Sequence, residues 1–63
     1  MDKVTWNRIY EDFRSHYPHL RKEASYWRPH SYATIEVWLK DNRKLTYNYD
    51  EHVARFISTG ERL

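Results

Sequence analysis

Apolar side chains recur at Trp6, Ile9, Tyr10, Phe13 and Tyr17, the i, i+3, i+4, i+7, i+11 spacing of one helical face. Asn7, Arg8, Glu11, Asp12 and Arg14 fill the opposite side. The spacing predicts a helix over about residues 3–16, with Asp2 or Thr5 as the cap that accepts a hydrogen bond from an orphan amide. Pro18 ends it, because the residue before a proline is pushed out of the α region. Next, Glu23 to Arg28 holds Tyr26 and Trp27 and is stopped by Pro29, which predicts a short strand, since proline is tolerated only at an edge or at the end of a strand. Strand alternation puts Ala24 and Tyr26 on one face and Ser25 and Trp27 on the other, and the pattern does not say which pair faces the core.

The stretch YATIEVWLKDNRKLTYNYD, Tyr32 to Asp50, predicts a β-hairpin. Ala33, Ile35, Val37 and Leu39 alternate with polar positions, as do Leu45, Tyr47 and Tyr49. Both apolar rows must share a face, and that requirement selects the turn. A two-residue loop at Asp41-Asn42 would put the rows on opposite faces, since a one-residue slip flips every side chain. A three-residue loop, Lys40-Asp41-Asn42, pairs Val37 with Leu45, Ile35 with Tyr47 and Ala33 with Tyr49. Such a loop is a type I turn followed by a left-handed residue, and asparagine is among the few non-glycine types that tolerate that conformation.

Beyond the hairpin, Asp50 is placed to cap a second helix with Val53, Phe56 and Ile57 as its stripe and Gly60 as its stop. The expected fold is therefore α+β, in the order α-β-β-β-α. A three-stranded antiparallel sheet carries both helices on one face and leaves the other open. Residues 1–63 form a single small domain, without repeats or linkers.

Composition narrows the function. A 63-residue chain buries only about 60% of the surface its unfolded form exposes, so stability of a few kcal/mol is expected. There is no cysteine, hence no disulfide, thiolate metal site or thiol nucleophile. The eleven aromatics (three Trp, six Tyr, two Phe) are the natural source of core area. No apolar run approaches the ~20 residues that span a bilayer, and Met1-Asp2-Lys3 leads into no signal-peptide core, so a cytoplasmic protein without membrane contact is expected. Net charge is +2, weak support for a nucleic-acid binder. The surplus is concentrated between Arg14 and His30, where Arg14, Arg21, Lys22 and Arg28 face only Glu23.

Candidate chemistry is sparse. His16 and His19 are three apart, but Pro18 between them breaks the helical geometry that would aim both at one ion. His30 and His52 have no local partner of matching spacing. No metal, cofactor or catalytic residue is assigned on this basis. The acid pairs Glu11-Asp12 and Asp50-Glu51 fit a wetted helix face and a helix N-terminus, respectively. Ser15, Ser25, Ser31 and Ser58 lack a nucleophile context, and the single glycine leaves no phosphate-cradling loop. The expectation is a protein that is not an enzyme.

Binding is what the pattern favours. On the polar face of the hairpin, Trp38 stands beside Thr34 and Glu36, across from Lys44, Thr46 and Asn48, with Trp27 or Tyr26 and Arg28 joining from the first strand. A large aromatic among polar and basic groups is an interface signature, because Trp, Tyr and Arg dominate hot spots. The bland alternative is that Trp38 lies flat over its neighbours, or that the C-terminal ISTGERL covers it. The candidate partner-binding residues are Trp38, Trp27, Arg28, Glu36, Lys44 and Thr46, with the basic Arg14–His30 flank as a second surface. A protein partner is the first expectation, since Glu36 sits among the basic groups. Nucleic acid bound on the aromatic and basic groups is the alternative, and a homodimer through the same face is a third.

The segment YWRPHSYATIEVWLKDNRKLTYNYD (Tyr26–Asp50), with WNRIYEDFRSHYP before it, resembles small uncharacterised proteins encoded by phages and prophages of Gram-positive bacteria. The resemblance covers most of the chain and carries no catalytic motif. Its members often have glycine where Asn42 stands, which suits a left-handed residue there. The resemblance implies a small accessory protein of the bacterial host cytoplasm that acts stoichiometrically on a host or phage macromolecule, a class that includes inhibitors of host systems.

Overall fold

The computed structural model of the chain describes residues 5–63. Residue 3, where the pattern starts the first helix, and Asp2, the alternative cap, lie outside the described residues. Thr5 takes the cap of α1 (Trp6–His16): its backbone is extended, and its Oγ1 accepts from the Arg8 amide at 3.2 Å. Ile9 and Phe13 turn inward and are buried. Pro18 ends α1 and opens a 3-10 turn, Pro18–Leu20, where its missing N–H leaves no bond unmade. That turn drops Leu20 into the core.

Four strands follow: β1 (Ala24–Ser31), β2 (Thr34–Leu39), β3 (Lys44–Asn48) and β4 (Val53–Phe56). They form one antiparallel sheet in the order β1-β2-β3-β4. The expected α-β-β-β-α order with two helices and three strands is thus overturned at its last element. Val53, Phe56 and Ile57 have helical spacing, but Ala54 and Phe56 also alternate with period two, and the tertiary context selects that period. Asn48 rather than Asp50 supplies the turn's side-chain bond: its Oδ1 accepts from the Glu51 amide at 2.8 Å. His52, at φ +56°, then reverses the chain. As a strand, 53–56 pairs with the free edge of β3 and buries Ala54 against Tyr47. Gly60, instead of stopping a helix, sits at φ +73° in a turn that brings the Leu63 amide to the Ala54 carbonyl at 2.9 Å.

The central hairpin has the expected register, with Val37 opposite Leu45 and Ile35 opposite Tyr47. Its loop is Lys40-Asp41-Asn42, closed by bonds from the Leu39 amide to the Arg43 carbonyl (2.8 Å) and from the Asn42 amide to the Leu39 carbonyl (3.0 Å). Asn42 has φ +71°. The Arg43 amide and guanidinium both donate to Asp41, and the amide bond above all holds that carboxyl below its usual range. Ala33 departs from expectation: it lies in the β1–β2 turn at φ +50°, and its carbonyl accepts from the Tyr49 amide at 2.7 Å.

An irregularity in β1 answers the question of which residues face the core. Ala24 pairs with Leu39, then the register shifts so that Tyr26 pairs with Trp38 and Trp27 with Val37. The extra residue, Ser25, is held by its hydroxyl donating to the Trp38 carbonyl at 3.2 Å. Ala24 and Trp27 therefore both reach the helix side, and Tyr26 and Arg28 the other. Pro29 lies within the strand, which is tolerated because β1 is an edge. The core between α1 and the sheet is built on Phe13, Ile35, Val37, Leu45 and Tyr47, each with no solvent exposure.

Candidate functional site

Only one face of the sheet is covered by α1. On the other, cross-strand pairing brings Tyr26 beside Trp38, Arg28 beside Glu36, Trp38 beside Lys44, and Thr46 between Glu36 and Arg55. The indole of Trp38 is half-buried by its own neighbours. Tyr26 lies 5.2 Å from it between centroids, the Arg28 guanidinium 5.2 Å from its ring and the Lys44 ammonium 6.0 Å. Tyr26 itself is 59% exposed. Glu36 is only 8% exposed and accepts from Arg28 Nε at 3.0 Å, so its charge is paired.

Of the six residues singled out from the sequence, Trp38, Arg28, Glu36, Lys44 and Thr46 share this face. Trp27 does not: it stacks on Tyr10 of α1, 5.1 Å between centroids and 13° between planes, and belongs to the packed side. Its place is taken by Tyr26, because the irregularity at Ser25 shifts the alternation by one residue. The face also gains Arg55, brought by β4 opposite Thr46. Three cations (Arg28, Lys44, Arg55) against one carboxylate (Glu36) leave these strand positions with a surplus of two positive charges. The C-terminal segment runs back along β4, with Arg62 opposite Arg55.

A second grouping lies at the other end of α1. Asp12 and His16, one helical turn apart, meet His52 of the β3–β4 turn and the phenol of Tyr47. His52 Nδ1 donates to Asp12 Oδ2 at 2.7 Å, Tyr47 donates to the same oxygen, and His16 Nδ1 donates to the Asp12 carbonyl at 2.9 Å. The two imidazoles stack at 4.7 Å. Burial, reinforced by the Asp12 carboxylate, pushes the Tyr47 phenol far above its ordinary pKa, so it stays a donor across the working pH range. Among the described residues these are the metal-ligating groups that converge. His19, separated from His16 by Pro18, does not join the group and tilts against Tyr17. The local signal for Asp12 and His16 is their i, i+4 spacing; nothing local announces His52.

On the basic flank, Arg14, Arg21 and Lys22 line a shallow hollow with Pro18. No helix among the described residues is long and apolar enough to cross a membrane. Comparison of the chain with protein-family models, curated proteins and solved structures gave no match.

Proposed function

We propose that this is a non-catalytic accessory binding module of the phage type that works stoichiometrically in a bacterial host cytoplasm. It docks a protein partner on the uncovered face of its sheet. The observation that carries this reading is the cluster of Tyr26, Trp38, Arg28 and Lys44 on a face that no helix among the described residues covers. A sheet face built only for solvent needs no indole. Here two aromatics and two cations form a continuous amphipathic patch, the composition that supplies most interface energy. The ion pair with the buried Glu36 holds the exposed Arg28 in place beside the indole. The surplus of positive charge favours an acidic partner surface.

The test is affinity capture from lysate of a Gram-positive host by the immobilised wild-type chain, by Trp38→Ala and by Tyr26→Ala, each shown folded by circular dichroism. A hot-spot role predicts that removal of Trp38 costs at least ~2 kcal/mol of affinity for the captured protein. Capture that neither substitution changes would refute docking on this face.

A nucleic-acid reading is favoured by one specific pair of observations: β4 adds Arg55 to the face, and Glu36 is neutralised by Arg28. Single strands would then stack on Tyr26, with the cations on phosphates. Binding to a single-stranded oligonucleotide would fall by about 0.7 log unit per log unit of salt for each phosphate neutralised. The protein reading predicts no such binding at low salt.

A further inference from the structure

We propose that Asp12, His16 and His52 form a binding site for a divalent first-row transition ion of the zinc type, tying the end of α1 to the β3–β4 turn. The site is independent of the open sheet face and uses none of its residues. Tetrahedral zinc with bonds of about 2.0–2.2 Å needs donor atoms about 3.4 Å apart. His16 Nδ1 lies 3.5 Å from Asp12 Oδ1 and His52 Nδ1 2.7 Å from Asp12 Oδ2, and the three donor atoms all lie within 4.8 Å of one another. The histidine side chains are 43% and 46% exposed, so their rings are reachable from solution and can rotate to close the remaining gap.

The donor set determines the class of ion. Two imidazoles and one carboxylate suit zinc, nickel or copper, whereas magnesium and calcium require oxygen. Three protein ligands leave a fourth position for water. His16 is the last residue of α1, where the aligned carbonyls favour positive charge. Tyr47 donates to Asp12 and so orients the ligating carboxylate, with its hydroxyl 3.5 Å from His16 Nδ1 and 3.4 Å from His52 Nδ1.

The backbone of His52 positions its ring: at φ +56°, a conformation histidine tolerates better than most residues, the β3–β4 turn aims the imidazole at Asp12. Binding involves no bond change beyond proton exchange. Each Nδ1 gives its lone pair to the ion, and the proton it holds moves to Nε2 or leaves to water.

Titration of the 63-residue chain with zinc sulfate against a chromophoric chelator tests the site. The expected result is one ion per chain, with a raised melting temperature. His16→Gln and His52→Asn should each weaken binding at least about tenfold, and Tyr47→Phe about tenfold. Asparagine is chosen at residue 52 because it tolerates the left-handed backbone. His19→Gln with His30→Gln should leave affinity unchanged. Should a variant not fold, proton NMR of the wild-type chain decides: zinc must shift the imidazole signals of His16 and His52 before those of His19 and His30. Absence of one-to-one binding, equal binding by the His16→Gln/His52→Asn double variant, or shifts led by His19 or His30 would overturn the proposal.

Discussion

The two faces of the sheet use aromatic side chains in opposite ways. Under α1, Phe13, Tyr17 and Tyr47 pack ring to ring with centroids 5.5–6.1 Å apart, and Trp27 stacks on Tyr10. Phe13 and Tyr47 have no exposure at all. On the open face, Trp38 and Tyr26 are flanked by charge, and Trp38 is half-covered. Ring-on-ring packing excludes water and contributes area to folding. Ring-on-cation packing leaves both groups wet and addressable. The residue types are shared; what differs is whether a helix lies over them.

That contrast can be broken by substitution. The largest effect belongs to Phe13→Ala, which removes the ring joining α1 to Tyr17 and Tyr47. It should cost about 3–5 kcal/mol, comparable with the whole stability of so small a domain, and circular dichroism should show loss of cooperative folding at room temperature. A well-folded Phe13→Ala chain would mean that the helix side is not where the stability resides. Next comes Asn42→Val, which leaves every packed contact alone but sets a β-branched residue at φ +71°. Since the loop holds both apolar rows on the helix side, about 2 kcal/mol should be lost, read from the shift in urea midpoint. Asn42→Gly should restore or exceed wild-type stability. Equal stability of Asn42→Val and Asn42→Gly would show that the turn does not enforce the register.

Much of the packed side is legible in the sequence because its periods are clean. The helix spacing through Phe13 and the alternation through Leu45 and Tyr47 each follow one rule, and the shared-face requirement selects the loop at Asn42. What escapes is whatever interrupts a period. One extra residue at Ser25 moves Trp27 under the helix and Tyr26 out. At Val53 to Ile57 two periods fit the same few residues, and the unpaired edge of β3, which no local pattern reveals, selects a strand. The Asp12–His16–His52 grouping depends on that strand's turn and on a left-handed histidine 36 positions from its neighbour on α1, so only the i, i+4 half of it is visible beforehand.

The central claim is that the indole on the open face serves recognition while the rings beneath the helix serve folding. Urea unfolding of Trp38→Ala beside the wild-type chain tests it most directly. The account predicts a cooperative transition weakened by only about 1 kcal/mol, the worth of a cross-strand and cation contact in partial solvent. A loss as large as that of Phe13→Ala would place Trp38 in the stability core and contradict the division between the two faces.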